Sequence, residues 1–130
     1  MMNSGMIIAV IGGEDAPPDV ERLAEEGALL SLCDLDGEKL ERTVADITGR
    51  GGRAFGVTGD LTEEETAQRL IAETVRRHGR IDVLVNNLGG VGRRAKIWEM
   101  KLEDWDFAIR LNLRSTFLCT RAAVPHMMER

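Results

Sequence analysis

Residues Ile81-Asp82-Val83-Leu84-Val85-Asn86-Asn87-Leu88-Gly89 set the reading of the whole chain. The first five are apolar except for Asp82, and the run is too short for an ordinary helix. Its apolar residues are nearly continuous rather than alternating. That is the pattern of a strand covered on both faces, as in a parallel sheet. A polar loop follows over residues 89–96, with Gly89, Gly90, Gly92, Arg93 and Arg94. It leaves the carboxyl end of the strand, the end at which open parallel sheets bind ligands.

Three similar apolar runs precede it: residues 6–11, residues 28–33 and residues 54–57, the last interrupted by Gly56. Helical spacing fills the gaps. Val20, Leu23, Ala24 and Gly27 share one face. Leu40, Val44 and Ile47 share another, with Asp36 as the expected N-cap. Thr62 and Glu65 have capping-box spacing, and Ala67, Leu70, Ile71 and Val75 form the stripe behind them. Gly27, Gly49 and Gly79 stand where left-handed helix caps are common. A last helix is expected over residues 102–128. Its first turn carries Glu103, Asp104 and Asp106, and Pro125 should end or kink it. Because it is apolar around much of its circumference, it is expected to be covered on more than one side. The order is β-α-β-α-β-α-β-α, which right-handed crossovers turn into an α/β sheet with helices on both faces.

The length of 130 residues suits one domain or a piece of one. Lys and Arg number 17 and Asp and Glu 22, a formal net charge of −5, which argues against a nucleic-acid-binding surface. Apolar residues make up 43% and charged residues 30%, an ordinary globular balance. The two cysteines, Cys33 and Cys119, offer neither metal-ligand spacing nor a disulfide framework, so a reducing compartment is expected. No targeting segment or membrane span is visible, and a soluble cytoplasmic protein is the expectation. Tyr is absent from the chain.

Five pieces, in order, resemble the short-chain dehydrogenase/reductase family. They are Gly12-Gly13 after the first strand, Cys33-Asp34-Leu35-Asp36 after the second, Gly59-Asp60-Leu61-Thr62 after the third, Val85-Asn86-Asn87-Leu88-Gly89 after the fourth, and Leu111-Asn112-Leu113 with Phe117-Leu118 in the last helix. The resemblance implies a partial Rossmann-like doubly wound sheet of about four strands in the order 3-2-1-4. It also implies an NAD(P)-dependent oxidoreductase acting on an alcohol or carbonyl group. Gly12, Gly13, Asp34, Leu35, Asp60, Leu61, Asn87, Leu88 and Gly89 would then be cofactor-binding residues, and Asn112 the active-site asparagine.

Physical chemistry gives each position a role and an alternative. A short carboxylate after the second strand can accept both ribose hydroxyls and repels a 2′-phosphate, so Asp34 favours NAD over NADP. It could instead cap a helix or fold a loop. Asp60 fits the adenine side or a surface turn. Asn86 and Asn87 fit backbone bonding across the strand end, a structural role that belongs to the family motif. The Asn112 amide needs a partner inside an apolar helix, either a substrate-linked water or a local backbone carbonyl. His78 and His126 are expected to be solvated, and the run Glu63-Glu64-Glu65 is expected to be a solvated first turn.

Two departures from the family pattern carry further expectations. Where the family has Thr-Gly-x-x-x-Gly-x-Gly, this chain reads Ile11-Gly12-Gly13-Glu14-Asp15-Ala16-Pro17-Pro18-Asp19. Pyrophosphate needs backbone N–H donors at a helix start. Pro17 and Pro18 have none, and Glu14, Asp15 and Asp19 add negative charge. The prolines still suit a helix start, so the fold is expected to survive and dinucleotide binding to be weak or absent. The second departure is the missing Tyr-x-x-x-Lys pair. Residues 1–130 are thus expected to be a single dinucleotide-binding domain, truncated before the catalytic Ser/Tyr/Lys segment and inactive alone. A homo-oligomer or a complementing carboxyl-terminal half is the expected partner. The alternative is a non-catalytic nucleotide-, metabolite- or protein-binding module on the half-fold. Neither nucleic acid, membrane nor metal is expected to bind.

Overall fold

Four short parallel strands assemble in the order β3-β2-β1-β4, as the sequence predicts. The structure, a computed structural model, describes residues 7–11, 19–89 and 93–129. The elements are β1 (Ile7–Ile11), α1 (Asp19–Glu25), β2 (Leu29–Asp34), α2 (Gly37–Gly49), β3 (Arg53–Thr58), α3 (Glu64–His78), β4 (Val83–Asn86), α4 (Leu102–Ile109) and α5 (Ser115–Met128). A π-helical turn, Arg110–Arg114, joins α4 to α5. Ile11 pairs with both Cys33 and Asn86, and Cys33 with Val57. One row of residues therefore crosses all four strands near their carboxyl ends.

Successive residues of a strand point to opposite faces, and the two cores follow that rule. Leu30 and Leu32 of β2 meet Val20, Leu40 and Ile47 under α1 and α2. Cys33, Phe55 and Val57 meet Ala67, Leu70, Leu118 and Cys119 under α3 and α5. Ile71, Ile81 and Ala123 close the α3–α5 seam. Gly56, which weakens the β3 pattern in sequence, has a packing reason. A Cβ there would lie 2.7 Å from Leu40 Cδ2, so α2 rests on bare backbone.

Several local expectations need correction. Thr62 and Glu65 do not form a capping box. The N-cap of α3 is Glu63, and the Thr62 hydroxyl donates instead to Asp60 Oδ1. Gly49 lies inside α2, and the left-handed turn falls at Gly51, with φ of 88°. Pro125 does not end the last helix, which continues to Met128. So near the terminus the proline costs few further helix bonds. The last helix is covered on one side, not on several. Leu118, Cys119 and Ala123 are buried, while Leu102, Leu113, Phe117 and Met128 are all more than half exposed. His78 is half-buried rather than solvated, its ring 5.5 Å from that of Phe55.

Candidate functional site

The carboxyl ends of the strands place the candidate residues along one edge of the sheet. The strand order reverses between β1 and β4, the switch point at which open α/β sheets bind ligands. Gly12 and Gly13, with the rest of the acidic and proline-containing loop, lie outside the described residues.

Asp34 is the last residue of β2 and pairs with Thr58. Its Oδ1 accepts the Asp36 N–H at 3.0 Å, and its carbonyl accepts the Gly59 N–H at 3.1 Å. Asp36 in turn caps α2 by accepting the Lys39 N–H at 3.1 Å. The two aspartates thus divide the work. Asp36 is the helix cap, while Asp34 folds the strand exit and is held half-buried at the strand end. Leu35 between them is exposed.

Asp60 follows β3. Its Oδ1 accepts both the Thr62 N–H at 2.9 Å and the Thr62 hydroxyl at 2.6 Å. Burial pushes its pKa up, but the two Thr62 hydrogen bonds and the Arg110 charge outweigh this and hold it below 3.8. The turn alternative for Asp60 is therefore observed as geometry, with the carboxylate fixed by Thr62. Leu61 is buried in the α3–α5 core, so any ligand contact it makes is through its backbone.

After β4, Asn86 Nδ2 donates to Thr120 Oγ1 of α5 at 3.2 Å. Asn87 is exposed, and Leu88 packs against the Cys33–Leu118 core. Gly89 abuts Asn112, because a Cβ on Gly89 would stand 2.6 Å from Asn112 Oδ1. Asn112 Nδ2 donates to the Ala108 carbonyl at 2.8 Å, the local backbone partner that the sequence left open. That carbonyl is the one the helix ladder would use at position 112. A side chain competing for it accounts for the widened π turn. Ser115 Oγ and Thr116 Oγ1 bond back to the Leu111 and Asn112 carbonyls in the same way.

The sequence reading missed the polar ties that hold this turn. Arg110 Nε donates to Thr62 Oγ1 at 3.1 Å, and Arg114 Nε donates to the Thr62 carbonyl at 2.8 Å. Arg110 also pairs with Glu63, and Arg121 with Glu64. The run at residues 63–65 is therefore partly ion-paired, not simply solvated. The available signal was three arginines, Arg110, Arg114 and Arg121, within the long last helical segment, in a chain whose third helix starts with three glutamates.

The thiols are not candidates for nucleophilic chemistry. Burial, with a smaller contribution from Cys119, pushes Cys33 up to about 12, and burial pushes Cys119 up to about 11. Asp34, Asp60 and the Asn86, Asn87 and Asn112 amides suit a polar ligand held by hydrogen bonds. Among the described residues, no three His, Cys, Asp or Glu side chains gather as a metal site, and no helix is long and apolar enough to cross a membrane.

A family model described as short chain dehydrogenase matches residues 18–130. The chain is 39% identical over 108 residues to the (2S)-((R)-hydroxy(phenyl)methyl)succinyl-CoA dehydrogenase subunit BbsD of Thauera aromatica, covering 83% of this chain and 43% of that protein. Its fold is similar to a 3-ketoacyl-ACP reductase from Sinorhizobium meliloti 1021, with TM-score 0.90 and 27% identity over 95% of this chain and 49% of the other. It is also similar to the NADH-dependent reductase A1-R′ complexed with NAD, with TM-score 0.83 and 28% identity over 95% of this chain and 52% of the other. The chain thus spans about half the length of the relatives it matches.

Proposed function

The chain belongs to the short chain dehydrogenase family, and from that premise we propose that it supplies the dinucleotide-binding half of an oxidoreductase acting on an alcohol or carbonyl group. The observation that carries the reading is Asp34. It ends β2 next to the strand that leads into Gly12-Gly13, and its carboxylate is oriented by the Asp36 N–H. Asp36 takes the capping duty that would otherwise engage it. A carboxylate placed there favours ribose hydroxyls over a 2′-phosphate, so NAD is the preferred dinucleotide. Asp60 and Leu61 would flank the adenine, with Asn87, Leu88 and Gly89 further along the same edge. The NAD-bound reductase of similar fold supports a nicotinamide dinucleotide as the ligand class.

A bound dinucleotide would supply hydride exchange. The residues of this chain would bind and orient it, with Asn112 standing beside Gly89 at the far end of the site. Proton exchange through a tyrosine would have to come from outside these residues, because the chain has none. Turnover would then draw the Ser, Tyr and Lys of the family pattern from outside these residues, and these residues alone are expected to be inactive. The loop of Glu14, Asp15, Pro17 and Pro18 makes binding weak. Two unpaired, buried thiols suit a reducing compartment such as the cytoplasm. The uncovered apolar side of α4 and α5 supports association with a second copy or with the complementing half.

The test is a backbone-amide NMR titration with NAD. Shifts are expected at Asp34, Leu35, Asp60, Leu61, Asn87, Leu88 and Gly89. Shifts confined to other surfaces, or larger responses to NADP than to NAD, would overturn the assignment.

A further inference from the structure

We infer that Arg110 and Arg114 are positioning residues that hold Asn112 against Gly89, and that they do so through Thr62. Thr62 is buried, with 6% of its surface exposed. Its hydroxyl has one proton, which goes to Asp60 Oδ1 at 2.6 Å. Its oxygen is then left to accept, and it accepts from Arg110 Nε at 3.1 Å. The chain of donors runs in one direction, from Arg110 to Thr62 to Asp60. The Thr62 carbonyl takes Arg114 Nε at 2.8 Å. One residue of the loop after β3 therefore grips both ends of the π turn Arg110–Arg114.

Asn112 is the middle residue of that turn. A π turn is a rare single-turn departure from the α register, so contacts that pin its ends bear on whether it holds. Here the pins are the two arginines, and the turn they fix sets Asn112 Oδ1 beside the Gly89 backbone. The loop after β3 and the loop after β4 are thereby linked through a single helical turn. The functional weight of this link rests on the proposal above that both loops border one ligand site.

The experiment needs no ligand. In isotope-labelled protein, the Asn112 side-chain amide and the Gly89 backbone amide are followed by NMR in Thr62→Val, Thr62→Ser, Arg110→Met and Arg114→Met. Thr62→Val and Arg110→Met are expected to move both signals, and combining them to add little beyond either alone. Arg114→Met, which releases the other end of the turn, is expected to move them too. Thr62→Ser keeps the hydroxyl and is expected to restore the parent positions. Arg110 is half exposed, so its variant keeps the test open should Thr62→Val fail to fold. Unmoved Asn112 and Gly89 signals in folded Arg110→Met would overturn the inference, as would Thr62→Ser shifts as large as those of Thr62→Val. Absence of NAD-induced shifts in a folded variant with Ala16→Gly and Pro18→Gly would count against the proposed ligand and leave this result standing.

Discussion

Asp34 and His78 show how neighbours within a few ångströms assign a residue its task. From sequence, Asp34 could cap a helix, fold a loop or hold a ribose. The structure gives the cap to Asp36 and fixes Asp34 at the strand end. In a background with a repaired phosphate loop, Asp34→Ser is expected to weaken NAD binding by about tenfold or more, the scale of lost charge-assisted hydrogen bonds. NADP binding is expected to change less, and equilibrium dialysis with both dinucleotides would reveal the narrowing. His78 makes a pH prediction. Burial first, then Arg77 and Arg53, lower its pKa below 6.5. The fold therefore disfavours the protonated ring. Its contribution to stability is fully present above the ordinary histidine value and is lost as pH falls through the lowered one. The Asp60 carboxylate is also lowered, but from 3.8, so its loss belongs to more acidic solutions. The melting temperature is expected to drop between about pH 7 and pH 5, and His78→Gln to flatten that slope. An unchanged slope in the variant would remove His78 from the account.

At the scale of elements, what the sequence revealed and what it hid have different physical origins. Continuous apolar runs, glycine stops and helical stripes are local signals, and they were sufficient for four strands of a parallel sheet; their order, 3-2-1-4, came only through the family resemblance. Gly56 in β3 read as a weakness, whereas Leu40 of α2 needs the space it leaves. Gly56→Ala is accordingly expected to destabilise the fold by about 1–3 kcal/mol through overpacking, and denaturant unfolding would show it. Asp36→Ala is expected to cost about 0.5–2 kcal/mol through loss of the α2 cap, with the transition still cooperative. The π turn was not legible, because it arises from a competition. Asn112 takes the Ala108 carbonyl, and Arg110 and Arg114 reach a threonine distant in sequence. The same applies to Thr62, whose cap spacing was genuine but whose hydroxyl found Asp60 nearer. Patterns report which groups a segment offers, and competition among partners decides which bonds form. Five of the candidate positions that follow the strands, Asp34, Asp60, Asn87, Leu88 and Gly89, stand at the carboxyl edge, because the family-like spacing follows strand ends that periodicity also locates.

For the whole molecule, the apolar side of α4 and α5 bears on assembly. Leu102, Trp105, Phe107, Leu113 and Phe117 are all substantially exposed, and a stable association needs about 800 Å² from each partner. Self-association at micromolar concentration is expected by analytical sedimentation, weakened in Leu113→Glu. A well-folded monomer at the same concentration would instead shift weight to a self-contained binding module. On the proposed function, this domain keeps the ribose-binding edge of a dinucleotide site while its phosphate loop is compromised. Calorimetric titration of NAD, at low salt, into the unaltered chain and into a variant with Glu14→Gln, Asp15→Asn, Ala16→Gly and Pro18→Gly tests it directly. Weak or undetectable heat is predicted for the unaltered chain, and clear saturable binding, tighter for NAD than for NADP, for the variant. Low-micromolar binding by the unaltered chain would contradict a compromised phosphate loop, and no binding by a folded variant would contradict a retained ribose-binding edge.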